Sequence, residues 1–244
     1  MQRMPPPSRR FQYLRRGNRI RRPSGGPPRP MSDTVGYKEL VAMLRAAVEQ
    51  VKANQAMLSQ LDSVGGDGDH GTTMARAMGF VDKAITACKK KDLKSVLNDI
   101  GWAIMGVDGG ATGPLLGTFF LGMSDAVADK KPVDVEGLAR LFEAGLAALQ
   151  KTSKAQVGDK TMMDALVPAV AALRGAADAG QTVAAALAAA AAAAEQGALS
   201  TKNFPAKFGR AKNIGERTIG HQDPGATSVS LMFRGFEAAV HSVH

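Results

Sequence analysis

The residues best suited to chemistry crowd into one short stretch, Leu61-Asp62-Ser63-Val64-Gly65-Gly66-Asp67-Gly68-Asp69-His70-Gly71-Thr72-Thr73-Met74. Three carboxylates fall within eight residues, on a backbone that glycines leave flexible. Such a cluster repels itself and is costly to bury without a cation. A hard divalent ion resolves the conflict. Magnesium takes oxygen ligands, keeps several waters, and binds through a few carboxylates together with substrate phosphates. Asp62, Asp67 and Asp69 are therefore candidate metal ligands. An ordinary polar turn between two helices is the competing reading, and residue chemistry alone leaves both open. Two look-alikes fail. Gly66-x-Gly68-x-x-Gly71 satisfies the dinucleotide fingerprint formally, but that motif follows a strand and offers bare amides to a pyrophosphate, whereas here a helical pattern precedes and carboxylates intrude. A calcium loop starting at Asp67 would need a glutamate where Met78 stands.

Three further segments are unlike plain connectors. Gly109-Gly110-Ala111-Thr112-Gly113-Pro114 opens an apolar helix with few side chains in the way. It could present amides and a positive helix end to a phosphate or base, or serve only tight helix packing. Gly158-Asp159-Lys160-Thr161-Met162 is weaker, with Asp159 placed to cap the following helix. The fourth runs from Arg210 to Thr227, where Asp223 as N-cap and Pro224 at the first helical position mark a helix start. Arg210 or Arg217 could pair with a phosphate or with a structural carboxylate such as Glu216, and Arg217 leans to the carboxylate. His70 and His221 could each donate to phosphate or cap a turn.

The elements that must position these segments are helical. Leu40, Met43, Leu44, Ala47, Val48 and Val51 share one face at the 3.6-residue period, in a helix that runs to about Gln60. Apolar spacing of the same kind recurs around Met74–Ile85, Leu93–Ile104, Leu115–Met123, Leu138–Leu149, Met162–Leu173, the alanine tract after Thr182, and Pro224–Val240. Hardly any stretch alternates with period two, so strands are not expected. The expected fold is all-α, eight helices in an antiparallel bundle or barrel, with sites built at the loop end from segments distant in sequence.

Composition excludes several classes. The formal net charge is +9, yet the first thirty residues carry nine arginines and no acid, and the remainder balances at 22 basic against 22 acidic residues. The body of the chain has no global field for polyanions, so no nucleic-acid partner is expected. Residues 1–31 are rich in Arg and Pro and poor in apolar residues, and disorder is expected there. They fit an extended start ahead of Met31, a basic tail with a binding role, or a targeting peptide. Residues 32–244 form the expected domain. The lone cysteine, Cys88, excludes an intramolecular disulfide and suits a reducing compartment such as the cytoplasm. The alanine tract Ala184–Ala194 is too short and too weakly apolar for a membrane span, so no membrane partner is expected.

Taken together and in order, the four segments resemble the L subunit of dihydroxyacetone kinases, the ADP-binding component. The motifs that carry the resemblance are Asp-x-x-x-x-Asp-Gly-Asp-His-Gly, Gly-Gly-Ala-Thr-Gly-Pro-Leu-x-Gly-Thr-Phe-Phe, Gly-Asp-Lys-Thr-Met and Gly-Glu-Arg-Thr-Ile-Gly-His-Gln-Asp-Pro-Gly-Ala-Thr-Ser. The resemblance implies an eight-helix antiparallel barrel holding ADP or ATP and two magnesium ions at one end. It implies Asp62, Asp67 and Asp69 as magnesium ligands, and His70, Gly71, Thr72 and Thr73 as phosphate-side contacts. Ala111, Thr112 and Ser153 would touch the nucleotide, and Met162 the adenine. Arg210 and the turn Asp223-Pro224-Gly225 would complete the site, and no side chain is assigned a catalytic role. The implied partners are a K subunit that holds the sugar and, in the mode where ADP stays bound instead of exchanging with ATP, a phosphotransferase-system protein as phosphoryl donor; a second copy of the chain is left open as a further partner. His70 favours this branch over related fatty-acid kinases, which carry threonine there. Gly65 and Asp108 depart from the family pattern and leave erythrulose or another small ketose open as substrate. A non-catalytic, ADP-binding regulatory role is the alternative of a different class.

Overall fold

The computed structural model describes residues 33–129 and 131–242, and the Arg/Pro-rich extension 1–31 lies outside the described residues apart from what its sequence says. Nine α-helices occur among the described residues: α1 Tyr37–Ala53, α2 Gln55–Asp62, α3 His70–Ala87, α4 Leu93–Met105, α5 Thr112–Asp125, α6 Val135–Thr152, α7 Met163–Asp178, α8 Val183–Ser200 and α9 Pro224–Ser242. The only extended pairing described is an isolated bridge between Val35 and Val133.

The first expected helix is in two pieces. Asn54 interrupts it, its side-chain amide donating to the Gln50 carbonyl at 2.8 Å while its own backbone N–H turns to Val51. Asparagine competes in this way with regular helix bonding. The remaining eight helices form a closed ring in the order α1, α3, α4, α5, α6, α7, α8, α9 and back to α1, with α2 tucked against α3 and α9. The antiparallel barrel read from the apolar spacing is thus present, and α2 is an addition to it.

The ring is filled by one continuous core. Phe119 and Phe120 of α5, Phe142 of α6, and Phe233 and Phe236 of α9 form a chain of mostly edge-on contacts, with ring centroids 5.5–5.9 Å apart. Each such pair adds about 0.5–1.5 kcal/mol beyond the area it buries. Helix α8 contributes small residues instead: Ala186, Ala190, Ala194 and Ala198 are fully buried, which lets α7 and α9 approach it closely. By length and composition the segment Val183–Asn203 could cross a membrane, with a mean hydropathy of 1.3, but this face is occupied by its neighbours in the barrel.

Alternation fixes where the loops go. With neighbouring helices antiparallel, every second connection emerges at the same end. The α2–α3, α4–α5, α6–α7 and α8–α9 connections contain the four unusual segments, and they share that end.

Candidate functional site

The four connections enclose a cavity of about 640 Å³. Its acidic wall starts at Asp62, the last residue of α2, whose carbonyl accepts from the amides of Gly65 at 3.1 Å and Gly66 at 2.6 Å. This tight turn folds the Asp62 carboxylate back over the loop, where it accepts from the His70 N–H at 3.3 Å. The Asp62 carboxylate can fold back this far because residue 66 has no side chain: a Cβ there would lie 2.3 Å from Asp62 Oδ1. The consequence is convergence. One carboxylate oxygen from each of Asp62, Asp67 and Asp69 lies within 4.8 Å of the others, with Asp62 half-buried and the other two exposed.

Charges that close repel by about 1 kcal/mol per pair at the dielectric of water and by about 3.5 kcal/mol at an effective dielectric of 20. The guanidinium of Arg210 contacts the Asp67 carboxylate. Both side chains are substantially exposed, so this pair stabilises by no more than about 1 kcal/mol. One guanidinium also leaves two of the three negative charges unmatched. A hard, oxygen-seeking divalent cation fits such a donor set, which lies open to the cavity and leaves positions for water and phosphate.

His70 opens α3. Its Nε2 lies 2.7 Å from Ser228 Oγ, and that hydroxyl donates to the Pro224 carbonyl at 3.0 Å, so the ring ties α3 to the first turn of α9. Burial holds the His70 pKa below its ordinary value, against the opposing pull of Asp62 and the Pro224 backbone. The neutral ring is favoured, and its tautomer sets which of Nε2 and the Ser228 hydroxyl donates. Gly71 faces away from the cavity into the α2–α3 contact, where a Cβ would meet the Gln55 carbonyl oxygen at 2.0 Å. Thr72 is exposed, and Thr73 is buried beneath Gly109 of the second loop. These three are not among the cavity-lining residues, whereas His70 is.

The second loop turns through Gly109 and Gly110, both with positive φ, to place Ala111 and Thr112 at the start of α5 and at the cavity wall. Asp108 is exposed, and its carbonyl accepts from Arg76 at 3.2 Å. Gly65 abuts the Arg210–Asn213 turn, with Ala211 Cβ 2.9 Å from where its own Cβ would be. Of the two departures from the family pattern, Gly65 lies within the acidic loop and lines the cavity, Asp108 does not line it, and neither supplies a carboxylate to the trio.

Ser153 ends α6, lines the cavity, and accepts from the Ala155 N–H at 3.2 Å. Met162 precedes α7 and lies against Gly225 across the cavity floor. The cap of α7 differs from expectation. Asp159 accepts from the Gln156 amide and from Lys207, while the loop is closed by Asp164 inside the helix, which accepts from Gly158 N–H at 2.6 Å and Thr161 N–H at 2.7 Å. Asp223 does cap α9, accepting from the Ala226 N–H at 2.7 Å, with Pro224 as the first helical residue. Arg217 and Glu216 are both exposed and form no ion pair with each other.

Beneath the floor lies a group that sequence reasoning missed. Lys160, 5% exposed, donates to the carbonyls of Thr201 and His221, and it is flanked by Asp164, 0% exposed, and Asp223. Burial pushes the Asp223 carboxyl up to about 7, with Asp164 adding repulsion and the Ala226 amide and Lys160 opposing. Burial likewise lowers Lys160. One signal was available: a carboxylate within the apolar run Met162-Met163-Asp164-Ala165-Leu166 must find a partner when buried. Leu61, Val64, Leu115 and Phe208 supply the apolar part of the lining.

Comparison with known proteins gives a consistent likeness. Residues 64–238 match the family model described as the DAK2 domain. The chain is 43% identical over 185 residues to the PEP-dependent dihydroxyacetone kinase 1, ADP-binding subunit DhaL, of Listeria innocua, covering 76% of this chain and 87% of that one. It is 41% identical over 177 residues to the corresponding PEP-dependent subunit of Escherichia coli, covering 72% and 84%. Among solved structures, the dihydroxyacetone kinase from C. freundii in complex with AMP-PNP and Mg2+ superposes with a TM-score of 0.63 at 24% identity, over 95% of this chain and 38% of that one. That last likeness speaks for the fold alone.

Proposed function

Because the chain belongs to the DAK2-domain family, we propose that it is the nucleotide-binding subunit of a dihydroxyacetone-type kinase. In this reading Asp62, Asp67 and Asp69 hold two magnesium ions, which neutralise phosphate oxygens when bound. The observation that carries the proposal is the pair of unmatched carboxylate charges at the rim of a cavity of nucleotide size. Phosphoryl transfer asks a protein mainly for positioning and for stabilisation of developing charge. The chain's own residues supply both. Arg210 opposes the acidic loop, the α5 N-terminus brings Ala111 and Thr112 to the cavity wall, where its free amides would face a phosphate, and His70 stands at the start of α3. Met162 and the Asp223-Pro224-Gly225 turn form the floor, Ser153 closes one side, and Leu115 and Phe208 offer apolar surface to a base. No side chain is needed here as a general base, since the sugar hydroxyl arrives on a separate K subunit.

ADP is the proposed resident nucleotide, recharged by a phosphotransferase-system protein, with dihydroxyacetone or a close ketose as acceptor. The high identity to two PEP-dependent subunits supports this mode over a cycle of ATP entry and ADP release. The buried free thiol of Cys88 suits a reducing, cytoplasmic setting. Purified chain mixed with a cognate K subunit, dihydroxyacetone, and either ATP or the phosphorylated donor protein should yield the sugar phosphate. If no donor gives product, the kinase reading is wrong; retention of ADP through long dialysis, with no exchange of labelled ATP, separates the resident mode from the exchanging one.

A further inference from the structure

The longest connection in the chain runs from Thr201 to Asp223 between α8 and α9, and it carries Arg210 and Phe208 to the cavity. Its ends are drawn together by the Gly220 N–H, which donates to the Lys202 carbonyl at 2.8 Å. The Thr218 hydroxyl accepts from the Ala206 N–H at 2.9 Å and donates to Gly215 at 2.7 Å, so the loop is packed on itself. Few bonds connect it to the barrel. Lys207 bonds Asp159 through both its backbone and its ammonium, at the exposed side. Arg210 reaches Asp67 across the cavity, and within the loop the Asp223 N–H joins the two ends by donating to Thr201 Oγ1 at 2.9 Å. At the buried side, Lys160 Nζ donates to the carbonyls of Thr201 and His221, one at each end of the loop.

We infer that Lys160 is a positioning residue: its buried ammonium staples both ends of the 201–223 loop to the α7 entry and so sets where Arg210 stands over the acidic loop. The inference rests on the nucleotide-subunit reading for its consequence, but its anchor is testable without any ligand. Lys160 holds a left-handed backbone, φ 59°, which most residues avoid, and this conformation carries its side chain to the two carbonyls. The charged groups facing it are Asp164 from α7 and Asp223 from the loop end. Removing the ammonium takes a charged donor from both carbonyls and leaves two carboxylates facing each other without a cation.

The experiment uses the full chain. Trypsin has five sites in the loop, at Lys202, Lys207, Arg210, Lys212 and Arg217. In ligand-free Lys160→Met, cleavage at these sites should rise at least roughly tenfold over wild type, because the loop opens locally more often. The helical circular dichroism should be kept, and Mg–ADP affinity by calorimetry should fall in parallel. Lys160→Arg, which keeps the charge and several donors, should recover most of the protection. Wild-type cleavage in a folded Lys160→Met chain overturns the inference.

If that variant loses its helical signal, the wild type decides alone. Ionisation of Asp223 sets a second carboxylate against Asp164 with one lysine between them, so normalised cleavage should accelerate from about pH 6 to about pH 8. Asp223→Asn should abolish that acceleration, and a wild-type loop that trypsin cuts at pH 6 as readily as an unstructured peptide would overturn the inference. A wild-type chain that binds no Mg–ADP yet shows these cleavage patterns sinks the nucleotide reading and leaves the anchor standing.

Discussion

Two acidic clusters meet the same cavity and are built on opposite terms. Asp62, Asp67 and Asp69 lie on a glycine-rich turn, largely exposed, with one contacting guanidinium for three charges. Asp164 and Asp223 lie at the floor, enclosed by helices, with a buried lysine and four backbone amides as partners. The floor cluster is complete in itself, so it holds structure. The rim cluster is incomplete, and in the proposed reading its deficit of positive charge is met by magnesium bound with the nucleotide. Number of carboxylates does not separate function from architecture here; the balance of partners does.

The sharpest way to break this contrast is at Asp67. Asp67→Ala should leave the helical signal and melting temperature nearly unchanged, while Mg–ADP affinity falls on the order of 100-fold, as expected for a charge-assisted contact of about 2–3 kcal/mol. Calorimetry showing ordinary affinity would return the rim to a decorative turn. Gly66→Ala should act next most strongly and by geometry alone. Its methyl would occupy the space of Asp62 Oδ1, and displacing that carboxylate should weaken Mg–ADP binding by about tenfold with little loss of stability.

At the floor the expected effect is on pH dependence. The Asp223 carboxyl is raised in the folded chain from its ordinary 3.8 to about 7. Its contribution to stability is therefore fully present below about pH 4 and is lost as pH rises through about 7. Asp223→Asn has no such proton to lose, so urea unfolding should show the variant gaining on the wild type between pH 4 and pH 7. A constant difference would mean that Lys160 already satisfies the carboxylate. Ser228→Ala is the mildest test. It leaves His70 Nε2 without its partner and should cost about 1 kcal/mol in the same unfolding assay.

Much of this was legible beforehand, for a physical reason. Rim residues announce themselves because glycines and carboxylates packed together contradict what a connector needs, and Asp62, Asp67, Asp69 and Arg210 do come together. The ring of eight helices was legible because each buries one stripe at a constant period. What escaped notice depended on long-range geometry. Lys160 looks like any surface lysine until the Thr201 and His221 carbonyls, 41 and 61 residues away, are placed around it. Asp159 has the right type and spacing for a cap, yet its carboxylate is taken by the Gln156 amide and Lys207, and Asp164 performs the closure. The split at Asn54 escaped because the apolar stripe on either side of it continues without a change of period.

That split bears on how the acidic loop could be moved between proteins. Two turns of α2 are too short to persist unaided, and α2 is held by Gly71, whose missing side chain admits the Gln55 carbonyl against α3. The loop is therefore not a portable cassette. Transplanted as residues 62–69 alone it would arrive without the splint that sets its curvature, and any graft must carry α2 and the opening turn of α3 as one piece.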